Sequence, residues 1–563
     1  NAERLLAQFE RISDAPDAIP RLRRFILDLA VRGKLVEQDP EEIDERTFCR
    51  LAPQAKPCDL IPDFWLYVPL AGLLSEDTRN GYSRKPDDAL DGVPILRISA
   101  GTARPDGLVA EEESKLISGI DDKLLDQYEV RTGDLLACRF NGNKDYVGRL
   151  SLFRGYLRQR FIYPDKLIRI RLAEELAEPS FLRWISGADL VREEIETKCA
   201  TTVGNWGISA GKLKTCLVPL PPLAEQHRIV AKVDELMALC DQLEAARQKR
   251  EQGRERLLAS TLQRLNQPAE DPASFRKDAS FALQVLPSLT TTSAQIKQLR
   301  QTILNLAVRG KLVEQDPEDE PAEELLARFA EAKIEIKRAT GDARIKVADD
   351  ACPDSLPMSL PPTWECQSFQ NLFLFIDYRG NTPPKTTDGV PLITAKNVRM
   401  GYLDREPREY VSPQTLVAWM TRGLPRLGDL FFTTEAPLGN VCINNIDEPF
   451  ALAQRVICLQ PYSEISTRFV MYTLMSSDMQ EMIEAQATGL TAKGIKAAKL
   501  KPLPIPLPPL AEQHRIVAKV DELMALCDQL ERQLSQADQQ RRRLLEAVLA
   551  EALGDPEKML EVA

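Results

Sequence analysis

A chain of 563 residues with 44% apolar side chains has material for several folded cores. Its formal net charge of −11 excludes a uniformly basic nucleic-acid coat and leaves room only for local phosphate-binding patches. No apolar run approaches the ~20 residues of a membrane span, and the first residues lack the basic, apolar and small-residue order of a secretory leader, so a soluble chain is expected.

The start at Asn1, without methionine, suggests a processed or incomplete end. The 11 cysteines are scattered without a CxxC, and the apolar neighbours of Cys138, Cys240, Cys442 and Cys527 suit reduced core thiols, which predicts a cytoplasmic protein. Only two histidines occur, His227 and His514, which leaves little for zinc clusters or histidine-based catalysis.

In chain order, the first clear signal is ILDLAVRGKLVEQDP at 26–40, which returns as ILNLAVRGKLVEQDP at 303–317 with one difference, Asp28 against Asn305. Each copy reads as a helix that stops on Arg-Gly-Lys and turns out at Asp-Pro. A variable stretch of mixed α/β character follows each copy, over 60–217 and 360–505. Strands are predicted at 93–98, 135–140, 167–172 and 456–459, and closing helices at 181–196 and 469–485. Weak echoes align the two stretches: DGVPILRIS with DGVPLITAK, and RTGDLLAC with RLGDLFFT. Residues 266–279 read as a polar linker, and 322–338 as a helix within a charged segment.

The strongest signal is PLPPLAEQHRIVAKVDELMALCDQLE, identical at 219–244 and 506–531. Its prolines suit an extended lead into a helix. Ile229, Val233, Leu236, Cys240 and Leu243, and their counterparts Ile516, Val520, Leu523, Cys527 and Leu530, follow the four-three steps of a heptad seam. Two long helices of about 40 residues, ~60 Å each, are expected to pair as a coiled coil. Arg247, Arg250 and Arg254 interrupt the first seam. The register between the first pair of copies is 277 residues (303 less 26) and between the second 287 (506 less 219), so one module is written twice. The fold class is α+β with a pseudo-twofold internal repeat. It divides into an N-terminal helical segment (1–45), a variable domain (46–218), a central helical region (219–317), a second variable domain (318–505) and a C-terminal helix (506–563).

These repeats, and the order helix, variable domain, helix, variable domain, helix, resemble the specificity subunits of type I restriction-modification systems over essentially the whole chain. The resemblance implies that the variable domains are two target recognition domains, each reading one half of a bipartite, asymmetric double-stranded DNA site. It implies that two long antiparallel helices set the spacing and dock two methyltransferase subunits, and through them restriction subunits. It further implies a non-catalytic chain, with S-adenosylmethionine, ATP and Mg²⁺ held by the partners. Docking falls on the repeated Glu225, Gln226, His227 and Arg228, and on Glu512, Gln513, His514 and Arg515.

Candidate DNA contacts lie in Gly-, Asn- and aromatic-bearing loops, where Arg can read guanine and Asn adenine. In the first domain these are Arg79, Asn80, Tyr82, Arg84, Lys85, Arg97, Arg139, Asn141, Asn143, Lys144, Thr202 and Asn205. In the second they are Arg379, Asn381, Thr382, Lys385, Lys396, Asn397, Thr434, Thr491 and Lys493. Residues 131–171 carry ten Lys or Arg against three acids, a run suited to phosphate neutralisation or, more blandly, to a solvated strand face.

Two rival readings stand beside this one. Pro105-Asp106 and Glu113-Ser114-Lys115 imitate the carboxylate and lysine elements of a metal-dependent nuclease, at a short spacing that a highly charged chain produces by accident. A methyltransferase would need a Gly-rich cofactor loop and an Asn/Asp-Pro-Pro-aromatic element, which Asn381-Thr382-Pro383-Pro384-Lys385 only approximates. No GxxxxGK[ST] phosphate loop occurs. The non-enzymatic alternative is a coiled-coil scaffold whose variable domains bind proteins.

Overall fold

The computed structural model describes residues 15, 17–87, 91–202, 204–266, 290–347, 356, 358–378, 382–489 and 493–553. Most of the expected linker, from residue 267 on, lies outside them, as do Arg379, Asn381 and Thr491. The chain forms two compact units: residues 1–251 with 537–563, and residues 252–536. Each long helix therefore contributes residues to both.

Within the first unit, helix Ala18–Val31 leads to a strand Leu66–Pro69 that pairs with Leu217–Leu220 just before the long helix Leu223–Asn266. Within the second, helix Ser293–Val308, strand Glu365–Ser368 paired with Pro504–Leu507, and the long helix Leu510–Leu553 repeat that order. The repeated prolines thus sit in a two-stranded ladder, where extended backbone without an N–H is tolerated. Each long helix has 44 residues, about 66 Å.

The lead helices stop for a steric reason. Gly33 and Gly310 have φ of +63° and +65°, and an added Cβ would lie 2.5 Å from Pro62 Cγ and 2.3 Å from Pro361 Cγ. Only glycine combines that left-handed turn with that closeness. Retention of Arg-Gly-Lys in both copies follows.

Between the paired strands each unit builds a four-stranded sheet with one shared order: Leu74–Asn80, Leu167–Leu172, Leu135–Cys138, Leu150–Leu152 in the first; Phe373–Asp377, Val456–Pro461, Leu430–Thr433, Val441–Ile443 in the second. Central strands are buried on both faces, with Arg169, Arg171 and Gln460 the polar exceptions within Leu167–Leu172 and Val456–Pro461. Leu135, Ala137, Ile168 and Ile170 join the core that includes the lead helix, while Leu136 and Leu167 join Leu96, Phe153 and Tyr163 on the other face. Leu430 and Phe432 against Phe431 and Cys442 repeat the division. The predicted strands at 167–172 and 456–459 are observed as Leu167–Leu172 and Val456–Pro461. The strand expected at 135–140 ends at Cys138, with Phe140–Asn141 in another sheet. Each expected closing helix is two: Pro179–Ile185 and Asp189–Glu196, and Thr467–Met475 and Ser477–Ala485, the last capped by the Ser476 hydroxyl.

The apolar stripe of each long helix begins by packing on its own unit. Ile229, Val233 and Cys240 are buried in the core with Ile26, Ala30 and Phe181, and Ile516, Val520 and Cys527 in that with Ile303, Ala307 and Phe469. Each fully buried Ile or Val contributes roughly 1.5–3 kcal/mol. Among the described residues nine cysteines are free thiols, including the four expected to be reduced, Cys138, Cys240, Cys442 and Cys527, whereas Cys366 is disulfide-bonded. No helix of the described residues is long and apolar enough to cross a membrane.

Candidate nucleic-acid interface

Backbone pairing gathers the first domain's loops into one surface. Strand Asn205–Gly207 pairs with Phe140–Asn141, setting Trp206 opposite Asn141. Arg139 N–H donates to Lys166 C=O and its Nη1 to Asp165 C=O (3.2 Å), while Asp165 N–H donates to Tyr82 C=O. Asn80, Tyr82, Arg139, Asn141, Asn143, Lys144 and Asn205 therefore adjoin. Thr202 ends a strand paired with Asn205.

Cations stand over the aromatic rings of this surface. The Arg139 guanidinium and Lys166 ammonium each lie 4.9 Å from the Phe140 ring centre, and Lys144 Nζ 5.0 Å from that of Trp206. Lys144 also pairs with Glu196 at 3.2 Å. Phe140 and Trp206 belong to the aromatic-bearing loops expected to meet base edges, and Lys166 to the basic run, though none of the three is among the named contact residues. Only strand pairing across 60 residues of chain reveals them together. The Asn143 side-chain carbonyl accepts from Asp145 N–H, so it is partly engaged in shaping the loop.

Other candidates lie elsewhere or are tied down. Arg79 donates to Gln127 C=O, and Arg84 pairs with Asp87 at 2.9 Å, with Lys85 exposed beside it. Arg97 faces Glu113 at 3.5 Å on the neighbouring sheet. The basic run at 131–171 is not one face: Arg169 and Arg171 turn into the sheet and pair with Glu76 and Asp134, and Arg160 with Asp126 and Glu129. Hydrogen bonding to Arg160 is the main cause that holds the Glu129 carboxyl below its usual range. Period-2 alternation in Leu167–Leu172 accounts for this, since alternate charges must face inward.

The second unit repeats the frame with other side chains. Thr434 N–H donates to Arg455 C=O and Ile495 N–H to Thr434 C=O, matching Arg139 with Lys166 and Ile208 in the first. Glu435 bridges to Gly494 where Phe140 pairs with Gly207, and is held by Arg455 Nε at 2.6 Å. Lys493 pairs with Glu484, Lys385 with Glu409 at 2.7 Å, and Thr382 and Lys396 are exposed.

Two candidates in this unit are corrected. Asn397, 1% exposed, accepts from Thr394 and donates to the Asp404 and Pro407 carbonyls, so its amide shapes a turn. Thr434, 5% exposed, gives its hydroxyl to Arg455 C=O. Neither side chain is free to meet a base.

The expected docking residues also divide. Glu225, Gln226, Glu512 and Gln513 are fully buried within the chain, which removes them from any outer docking face. Gln226 accepts from Glu178 N–H and donates to the Leu176 and Pro221 carbonyls, and Gln513 accepts from Ser466 N–H and donates to Pro508 C=O. Trp65 Nε1 donates to Glu225 at 3.0 Å. Burial raises both the Glu225 and Glu512 carboxyls. Arg228 reaches Glu42 and Arg515 reaches Asp319, each bidentate, and His227 and His514 are exposed. Much of the repeated phrase is thus the joint between helix and domain.

The nuclease-like pieces are occupied in a simpler way. Asp106 takes Arg104 at 2.7 Å and the Leu108 N–H, and Glu113 takes Arg97 and Ser99. Among the described residues no group of three or more His, Cys, Asp or Glu is placed to hold a metal ion.

A family model described as the type I restriction modification DNA specificity domain matches residues 412–537. The chain is 26% identical to the EcoAI specificity subunit of Escherichia coli, over 95% of this chain and 94% of that one, and 27% identical to the EcoEI specificity subunit of the same organism over the same shares. A chain solved in work on assembly and conformational transition of the type I R-M system overlaps 87% of this chain and 98% of its own at 20% identity and a TM-score of 0.49. With 95% of this chain aligned to each of the two Escherichia coli subunits, the chain is similar over nearly its whole length to the specificity subunits of type I restriction enzymes.

Proposed function

We propose that the chain recognises a bipartite, asymmetric DNA site, each variable domain reading one half, and that the long helices fix the distance between the halves. One observation carries this reading: a single backbone frame presents Arg139, Phe140, Lys166 and Trp206 in the first unit, and in the second Glu435, Arg455 and Lys493 around a buried Thr434 that shapes the loop. Matched frames with unlike readers suit two unlike words of sequence, and Arg can take guanine O6 and N7 bidentately. A helix of 44 residues covers about two turns of B-DNA. His227, Arg228, His514 and Arg515, at the outer side of the repeated phrase, then meet two methyltransferase subunits, through which restriction subunits join. On this reading S-adenosylmethionine, ATP and Mg²⁺ belong to the partners.

The test is Arg139→Ala in the assembled methyltransferase, with methylated positions mapped across a genome. Preference at the first half-site should relax, by about 1–3 kcal/mol at one base pair, while the second half-site stays strict. Equal loss at both halves would sink the division of reading. A second reading, a protein-binding scaffold, predicts that a gel shift finds no preference for any two-part duplex over random DNA.

A further inference from the structure

In the first unit a cleft of about 630 Å³ opens between the lead helix, the 101–107 loop and the face of helix Pro179–Ile185 that carries Arg183 and Trp184. Its lining is rich in arginine and reaches Asp145 and Tyr146, next in sequence to the candidate loop residue Lys144.

Most of these arginines have local counterions. Arg21 pairs with Asp17 and Glu546, Arg23 with Asp241 and Glu244, Arg24 with Asp189, and Arg104 with Asp106. Three are incompletely matched, the first being Arg23, whose Nε is buried without a partner despite its two acids, as is that of its counterpart Arg300 in the second unit. The Arg149 guanidinium has no hydrogen-bond or ion-pair partner among the described residues, and desolvation and then Arg192 depress its pKa. Arg183, 6% exposed, meets Asp234 through Nη2 at 3.1 Å, but its Nε is buried without a partner. A buried donor left open costs about 1–3 kcal/mol and more when charged, so a persistent one marks a place for an acceptor.

The second unit shows that the fold does not require these charges. The Glu178 and Ser466 N–H groups are bound alike by Gln226 and Gln513, and the Asp189 and Ser477 N–H groups by Asp28 and Asn305. These pairs align Arg183 with Met471 and Arg192 with Gln480. The repeat aligns Arg24 with Gln301, and strands Leu150–Leu152 and Val441–Ile443 align Arg149 with Asn440. Four guanidinium groups stand where the same architecture uses three amides and a thioether. Gln480 even performs the structural task of Arg192, donating to Gly439 C=O as Arg192 does to Val147 C=O.

We infer that this cleft is a binding site for a small phosphorylated anion of the diphosphate or nucleotide class, present in the first unit alone. The volume falls in the range of small-ligand pockets, and guanidinium forks with open N–H groups match phosphate oxygens. Arg149 supplies the free charge, the Arg183 Nε–H the inward donor, and Trp184, beside Arg183, reports occupancy.

The experiment titrates the full chain with inorganic pyrophosphate and, separately, with ADP, following tryptophan fluorescence and heat. One saturable site per chain is expected, weakened at least about tenfold in Arg149→Asn, which installs the second unit's residue at an exposed position. Arg183→Met should do the same, and a circular dichroism spectrum equal to the parent's shows that it folds. Absence of saturable binding by either anion, or unchanged binding in Arg149→Asn, overturns the inference. So does displacement of pyrophosphate by duplex DNA in proportion to specific binding, since the arginines would then serve the DNA interface; persistence of both at once supports a separate site.

Discussion

The two units share a frame down to individual hydrogen bonds and differ in what the frame carries. Arg23 reaches Asp241 and Glu244 as Arg300 reaches Asp528 and Glu531, and the Gly33 and Gly310 turns end both lead helices against a proline. Against that sameness, the loop surface is aromatic and cationic in one unit and carries an acid–arginine pair, Glu435 with Arg455, in the other. At its buried positions, near-identity of sequence therefore marks where the chain must fit itself, while divergence marks the loop surfaces that differ between the units. The docking residues expected at Glu225, Gln226, Glu512 and Gln513 reverse under this rule, because burial makes them internal joints.

The largest way to break the comparison is at those joints. Gln226→Ala leaves the Glu178 N–H and the Leu176 and Pro221 carbonyls without their partner, and should cost the first unit about 3–4 kcal/mol. Gln513→Ala removes bonds to Ser466 N–H and Pro508 C=O and should cost the second unit less, about 2–3 kcal/mol. Hydrogen exchange read peptide by peptide localises each loss. Equal loss of protection in both units from either variant would show that the joints are not local.

A subtler contrast lies at the single difference between the lead-helix copies. Burial, and then the Asp189 carboxylate, push the Asp28 carboxyl up to about 6 from 3.8, although it accepts the Asp189 N–H at 2.8 Å. Asn305 accepts the Ser477 N–H at 3.0 Å and donates to its hydroxyl, with no charge to bury. Because the folded-state pKa is the higher one, the folded state holds the proton over pH 4–6. The stability tied to that proton is complete below about 3.8 and is lost as pH rises through 6. Asp28→Asn should therefore stabilise the first unit at pH 7–8 by on the order of 1–3 kcal/mol and flatten its pH dependence between 4 and 6. Asn305→Asp should impose the mirror-image loss on the second. A pH series of exchange protection reads both, and an unstabilised Asp28→Asn at pH 8 would refute the assignment.

How much of this was legible in the letters depends on the range over which each cause acts. The lead helices, both long helices and the central strands at 167–172 and 456–459 are set by local periodicity and by Gly and Pro, so sequence placed them. The split at Ser186-Gly187 and the cap at Ser476 escaped because apolar spacing continues across both breaks. At the site, Arg139, Asn141 and Lys144 were readable as a polar loop. Phe140, Lys166 and Trp206 required long-range pairing, which one sequence does not encode visibly. The charge run at 131–171 misled because strand alternation hides Arg169 and Arg171. Asn397 and Thr434 misled because amides and hydroxyls that bond backbone look, as letters, like those that bond ligands.

The smallest expected effect sharpens the comparison where its chemistry is most alike. Arg228 binds Glu42 at 2.6 Å and Arg515 binds Asp319 at 2.7 Å, each at the outer edge of its joint. Guanidinium groups more than a third exposed are screened by solvent, so Arg228→Ala and Arg515→Ala should each cost less than about 1 kcal/mol, and less still at high salt. Of the two, Arg515→Ala should cost more, because the Asp319 side chain is only 8% exposed against 25% for Glu42, and the carboxylate left behind is the less hydrated one. Asp319 is held below its usual pKa chiefly by that hydrogen bond, so the Arg515→Ala loss should fade as pH drops through the carboxylate range. A loss that persists undiminished at low pH would assign the arginine to packing along its stem and would make the two joints alike in shape while unlike in electrostatics.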